Sequence, residues 1–295
     1  MVAHNGYGGQ SMVAPLEQVL LCTPAAAGWG ESIAAHRWRE LGFHHAPNLA
    51  AAEIEHRAFR QVIESAGCEI KILKGAPRLT LDAIYVHDAS IVTDFGAICL
   101  RMGKAARAAE PETHRTFYEA QGIPVLAVMK EPCTSEAGDM VWLNPETLLV
   151  GRGFRTNADG IGWLRNLLSP HGVTVLSAPL PCGRGPESCL HLMSLISLLD
   201  EKTVLADLPL LAVESLELLR SYGFRMVEID PSERATLAAN VLSLGNGRLV
   251  ALEENPATNA RLRDLGFQVM TFPGLEVGIN GGGGPTCLTR PLLRR

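Results

Sequence analysis

Charges and aromatic rings are scarce in this chain of 295 residues: charged side chains make up 19% and aromatics 5%, against 47% apolar. The charges form no block, the net charge is −5 and the isoelectric point is near 6.0. The electrostatic footprint of a phosphate-backbone binder is therefore missing, and nucleic acid is not an expected partner. No low-complexity tract interrupts the sequence, so a substantial core is feasible. The first twenty residues, MVAHNGYGGQSMVAPLEQVL, lack the basic start and continuous apolar run of a signal peptide. No stretch approaches membrane-spanning length, so no membrane partner is expected. Neither CxxC nor HExxH spacing occurs, which gives a dedicated metal site no support. The seven cysteines, Cys22, Cys68, Cys99, Cys133, Cys182, Cys189 and Cys287, are odd in number and sit mostly in apolar runs. That pattern suits a reducing, cytoplasmic setting better than a disulfide framework.

What the chain does contain is a repeat. Five helix exits read SAGCEIKIL, AQGIPVLAV, PHGVTVLSA, SYGFRMVEI and DLGFQVMTF, with glycines at Gly67, Gly122, Gly172, Gly223 and Gly266. Each unit reads as an apolar strand, a turn, a second strand, a helix, and a glycine leading into a third strand. The slot that opens the first strand holds Asp88, Asp139, His191, Asn240 or Cys287, and successive differences of these numbers are 51, 52, 49 and 47. A period near fifty indicates stacked or radially arranged units. The first unit begins at its second strand, EQVLLCT, and its missing strand, CLTRPLL, lies at the other end of the chain. Pairing of the two closes the ring and removes exposed sheet edges. The expected fold is an α/β ring of five pseudo-symmetric ββαβ units, one domain over residues 1–295, with equivalent slots converging on its axis. The segment TPAAAGWGES, residues 23–32, reads as a surface connection or as a lid over that axis.

The slots supply a thiol, an imidazole, two carboxylates and an amide. Cys287 follows four successive glycines in GINGGGGPTCLT, a costly way to build an ordinary strand, which favours a nucleophile over a packed cysteine. His191 interrupts an apolar run; alone it reads as a core histidine, but its register with Cys287 makes it a candidate acid and base. Glu136 and Asp139 share SEAGDMVW, and Asp82 and Asp88 share LDAIYVHDAS. Four acids around one axis repel unless a cation or shared protons occupy it, and those that do not cap turns suit a guanidinium. Asp139 is the first candidate for a purely structural turn cap. Arg107 and Arg155 follow second strands; each is either solvated or, with the other, faces the axis and binds an anionic end.

These strings resemble those of the guanidino-modifying (amidinotransferase) superfamily, closest to bacterial dimethylarginine dimethylaminohydrolase. YVHDASIV is similar to that family's FVED strand head, SEAGDMVW to its EAGD motif, and GRGFRTNADG to its arginine-threonine-asparagine turn. CLHLMS, LAANVLSLGNG and GGGGPTCLT match three further motifs in order, so the resemblance covers nearly the whole chain. It implies the five-bladed α/β propeller called a pentein and a cysteine-dependent hydrolase of Nω-methylated or otherwise substituted arginine, with no metal or cofactor. By resemblance Cys287 is the nucleophile, His191 the acid and base, and Asp88 with Glu136, aided by Asp82, grips the guanidinium. Arg107 and Arg155 match positions that hold the substrate carboxylate. Two positions depart: His87 replaces a glutamate, and Gly282 stands where related enzymes place an acid toward the α-amino group. Asn280 is the candidate substitute, and a guanidino acid becomes an alternative substrate. Amidinotransfer and arginine deimination use the same residues. A non-catalytic binding protein, resembling the ribosome anti-association factor of this architecture, has no need of the polar slots. The expected partner is a small guanidino compound, and a homodimer is an allowed assembly.

Overall fold

The five repeat helices end where glycine allows it. In the computed structural model of the chain, which describes residues 6–31, 37–183, 185–186 and 190–295, Gly67, Gly122, Gly172, Gly223 and Gly266 all take φ between 70° and 92°. This left-handed conformation turns each helix into the following strand and costs a residue with a Cβ about 1 kcal/mol. The first unit holds β1 (Leu16–Leu21), α1 (Leu49–Ser65) and β2 (Glu69–Ile72). The second holds β3 (Ser90–Thr93), β4 (Gly96–Cys99), α2 (Glu110–Ala120) and β5 (Val125–Val128). The third holds β6 (Met140–Asn144), β7 (Thr147–Arg152), α3 (Ala158–Leu168) and β8 (Thr174–Pro179). The fourth holds β9 (Ile196–Leu198), β10 (Thr203–Ala206), α4 (Val213–Ser221) and β11 (Arg225–Glu228). The fifth holds β12 (Leu242–Gly245), β13 (Arg248–Leu252), α5 (Pro256–Asp264) and β14 (Gln268–Phe272), and β15 (Arg290–Arg294) ends the chain.

Each unit forms its own three-stranded sheet. The first two strands are antiparallel and the third is parallel to the second, as in β3, β4 and β5. The helix supplies the long crossover that a parallel pair requires. β15 runs antiparallel to β1, with Leu16 opposite Arg294, so the ring closes through its two ends as the repeat implied. Helices fill the seams between sheets. Phe59 of α1 meets Phe272 of β14 with ring centroids 4.6 Å apart, and Leu219 of α4 shares a cluster with Ala178 of β8. α1 starts at Asn48, whose side chain accepts from Ala51 N, a cap contributing about 1 kcal/mol.

The first strands begin later than their sequence pattern suggests. His191 does not interrupt a strand; it caps a short helical turn, Leu192–Ser194, and β9 starts only at Ile196. Ser194 Oγ accepts from His191 N at 3.1 Å, and such local bonding competes with a sheet ladder. A similar turn, Ala137–Asp139, precedes β6.

Slot residues also stitch neighbouring units together. Asp88 Oδ1 accepts from Gly138 N, Asp139 Oδ1 from Leu192 N, and Asn240 Oδ1 from Thr286 N, each at 3.0 Å. Ser197 Oγ joins the fourth unit to the fifth, donating to Ala239 O and accepting from Val241 N. His87 N donates to Cys287 O at 3.2 Å, which completes the circuit.

Candidate active site

Four of the five slots, those of Asp88, His191, Asn240 and Cys287, open on a cavity of about 820 Å³. Cys287 and His191 both line it, with Asp82, Asp88, Arg107 and Arg155. The glycine run before Cys287 is explained by close approach: a Cβ on Gly283 would lie 2.5 Å from the Tyr85 ring and one on Gly284 2.6 Å from Asn240 Oδ1. Asn240 Nδ2 in turn donates to Cys287 Sγ at 3.3 Å, a contact that favours the thiolate over the thiol. Cys287 is half-buried, whereas burial pushes the thiols of Cys22, Cys68 and Cys99 up to about 12. Those three are inert core residues. None of the six described cysteines is in a disulfide, and Cys189 lies outside the described residues.

His191 is held from behind. Glu136 Oε2 lies 2.8 Å from His191 Nε2 and 3.0 Å from Arg155 Nη1, and Glu136 Oε1 accepts from Lys104 N at 3.0 Å. Burial would raise the Glu136 carboxyl, but the His191 bond and charge and the Arg155 guanidinium outweigh it and hold it at about 2. An ionised carboxylate only accepts, so Nε2 carries the hydrogen and Nδ1 is the basic atom of neutral His191. A Cβ on Gly138 would lie 2.5 Å from that Nδ1, so only glycine leaves the ring its place. Asp88 is fully enclosed, yet the His191 and Arg107 charges overcome burial and keep it below the usual carboxylate range. Arg107 reaches Asp88 Oδ2 at 2.5 Å and Glu110 Oε2 at 2.7 Å.

The structure assigns the sequence candidates different surroundings. Asp82 lines the cavity, and Lys104 Nζ stands 2.6 Å from its Oδ2 and 2.6 Å from Leu41 O. Glu136, expected against the guanidinium, is instead completely buried and supports His191. Asn280, expected to reach the substrate, is not among the cavity residues; its Oδ1 accepts from His45 N and its Nδ2 donates to Glu276. Its side chain pins the 41–46 loop, because the chain turns through a single π-type turn at Leu275–Asn280. Asp139 is the structural cap, bonded to Leu192 N and, at 2.6 Å, to Thr156 Oγ1. His87 lines a separate small space and donates Nδ1–H to Thr289 O at 2.7 Å, so this departure leaves the cavity's charge untouched. Trp29 is buried, with Nε1 bonded to Leu81 O. Pro24, Ala27 and Trp29 are buried while Ala25, Gly30 and Glu31 are exposed, and Ser32 lies outside the described residues; none of residues 23–31 lines the cavity, and Leu41, Gly42 and His44 flank it instead.

Sequence reading placed Asn240 in a slot without giving it a role, and it missed Lys104 and the Asp207–Arg234 pair joined at 2.8 Å on the cavity wall. Among the described residues, Asp88, Glu136 and His191 form the group whose potential metal-ligand atoms lie within 4.8 Å of one another. Both carboxylates there already face arginines, so their charge is met without a cation from solution.

A sequence model of the arginine deiminase family matches residues 80–221 and 211–294. A dimethylarginine dimethylaminohydrolase from Streptomyces coelicolor is 33% identical over 63% of this chain and 66% of its own length. One from Pseudomonas aeruginosa is 27% identical over 80% of this chain and 87% of its own. A solved Pseudomonas aeruginosa dimethylarginine dimethylaminohydrolase complexed with citrulline superposes with a TM-score of 0.76 at 23% identity, covering 94% of this chain and 99% of that one. The N-terminal domain of a cyanobacterial arginine dihydrolase, bound to product, superposes at 0.78 with 21% identity, covering 94% and 96%. These two establish the five-unit propeller fold. No described helix is long and apolar enough to cross a membrane.

Proposed function

This chain belongs to the arginine deiminase family, and on that premise we propose that it hydrolyses a C–N bond of a linear guanidino compound through Cys287, with Nω-methylated arginine the leading substrate. The observation that carries the reading is the meeting of a half-buried thiol, an imidazole and ionised carboxylates in one cavity. The relatives named dimethylarginine dimethylaminohydrolase support the substrate class.

The substrate guanidinium takes the cavity face of Asp88 and Asp82, which fixes its plane by charge-assisted hydrogen bonds. The Cys287 thiolate, favoured by the Asn240 amide, attacks the guanidinium carbon and forms a C–S bond. His191 gives a proton to the departing nitrogen as the C–N bond breaks, leaving a covalent thiouronium. Neutral His191 then takes a proton from water, whose oxygen attacks the same carbon; the C–S bond breaks and a ureido product leaves. In this scheme Glu136, completely buried, does not reach the substrate. It positions the imidazole and fixes its tautomer. Release of ammonia from arginine, or transfer to an amine, begins with the same steps.

Lys104 favours a second substrate form. Its ammonium already sits on Asp82 and the Leu41 carbonyl, so a substrate with its own α-ammonium meets a like charge. A guanidino acid, carrying a carboxylate and no ammonium, avoids that repulsion and finds Lys104, Arg107 and Arg155 on the cavity wall. The test is a mass-spectrometric screen of arginine, its methylated forms and shorter guanidino acids, with and without an acceptor amine. A ureido product from at least one, with release of the matching amine, is expected. No product from any of them would remove the proposal.

A further inference from the structure

Behind the slot residues the five units enclose a second, much smaller space. Residues of β3, β6, β9, β12 and β15 line two adjoining chambers of about 10 and 20 Å³. Gly9, Ser11 and Met12 contribute to the larger one, and Met12, Pro291 and Arg294 belong to both. Arg290 and Arg294 both line the larger chamber, and each is about 95% buried.

Neither arginine has a carboxylate partner within ion-pair distance among the described residues. Arg290 Nη1 donates to the carbonyls of His87 and Ser90, and its Nη2 lies 3.4 Å from His87 Nε2. Arg294 Nη1 and Nη2 donate to Ala14 O at 2.6 Å and Ser243 O at 2.8 Å. The Nε–H of each guanidinium is buried and has no acceptor. Burial pulls Arg290 down to about 10 against the more distant Asp88 charge, and burial together with the Arg290 charge pulls Arg294 down to about 9, which fits two cations with no carboxylate in contact. His87 beside them is neutral, held at about 3 by burial and then by Arg290, so it adds a dipole and no negative charge.

We propose that the chamber at the rear of the axis is a binding site for one halide-sized monovalent anion, held between Arg290 and Arg294. Buried cations are ordinarily paired, and an unmet N–H in an enclosed space is costly. A space of about 20 Å³ holds one water-sized or monatomic occupant. Sulfate, phosphate and carboxylates are too large. The anion offsets one of the two positive charges on the strand that closes the ring and begins three residues after Cys287, so its binding stabilises the fold without entering the reaction.

Two measurements decide the proposal. In crystals of the unaltered protein soaked in bromide, an anomalous peak between the Arg290 and Arg294 side chains is expected. In solution, replacing chloride by gluconate at constant pH and ionic strength lowers the melting temperature by roughly 5 °C, the scale of ligand linkage for a chain of this size. In Arg294→Met that shift disappears. An empty or water-filled chamber in the bromide map, or a halide shift that persists undiminished in Arg294→Met, would overturn it.

Discussion

The front and rear of the ring axis treat charge in opposite ways: slot residues and the loops around them line the front, whereas β3, β6, β9, β12 and β15 line the rear. At the front, every cation on the cavity wall stands on a carboxylate: Lys104 on Asp82, Arg107 on Asp88 and Glu110, Arg155 on Glu136, and Arg234 on Asp207. At the rear, among the described residues, Arg290 and Arg294 contact carbonyls and a neutral imidazole and no carboxylate. The front, at about 820 Å³, has room for a substrate guanidinium to exchange with partners that are already charge-matched. The rear, at about 10 and 20 Å³, has room for a single small counter-ion. A symmetric repeat therefore sets positions, while the individual side chains decide which end of the axis does chemistry.

The contrast breaks most visibly at the thiol. Cys287→Ser lowers kcat at least about a thousandfold, as loss of a nucleophile does, with the urea midpoint unchanged; retained turnover would move the chemistry away from this slot. Glu136→Gln keeps an acceptor for His191 but removes the charge that fixes its tautomer and pairs Arg155. Its kcat falls about a hundredfold, within the range of general acid–base effects, while KM changes little in steady-state assays.

At the rear the expected effect is on stability. Folded His87 is neutral with its pKa lowered to about 3, whereas in the unfolded chain it takes a proton below the ordinary value. Its contribution is therefore complete above about pH 6.5 and is lost as pH falls toward 3. His87→Asn retains a donor for Thr289 O without titrating, so between pH 7 and pH 5 the variant loses about 2 kcal/mol less stability than the parent. Urea unfolding at the two pH values measures this. Lys104→Met sharpens the front. KM for methylated arginine falls about threefold and KM for a guanidino acid rises by a similar factor, a modest change in keeping with a partly solvated ion pair.

Much of the front was legible in the sequence. The helix-exit glycines fixed the period, the period fixed the slots, and the slots placed Cys287, His191 and Asp88 around one axis. Lys104 was legible too, though overlooked: it lies sixteen residues after Asp88 (88 to 104), as Arg155 lies after Asp139 (139 to 155) and Asp207 after His191 (191 to 207). All three line the cavity. Glu136 was misjudged because a carboxylate's direction depends on the neighbouring unit, here His191 and Arg155, which no local pattern encodes. The turn at Leu192–Ser194 was hidden because HLMSLISL satisfies a strand pattern and only the Ser194 hydroxyl diverts it. Asn280 looked available from its place beside the glycines, but its partners are His45 and Glu276. Arg290 lies inside the apolar string CLTRPLL and Arg294 just beyond it, and nothing in that pattern marks either. Their isolation from acids appears only when the five strands close around them.

Acid-quenching the protein during turnover of a methylated arginine or guanidino acid, followed by peptide mass spectrometry, asks whether the carbon of the substrate becomes bonded to sulfur. An amidino adduct confined to the peptide bearing Cys287, absent from Cys287→Ser, is the expected result. Turnover to a ureido product with Cys287 unmodified at every quench time, and preserved in Cys287→Ser, would contradict it.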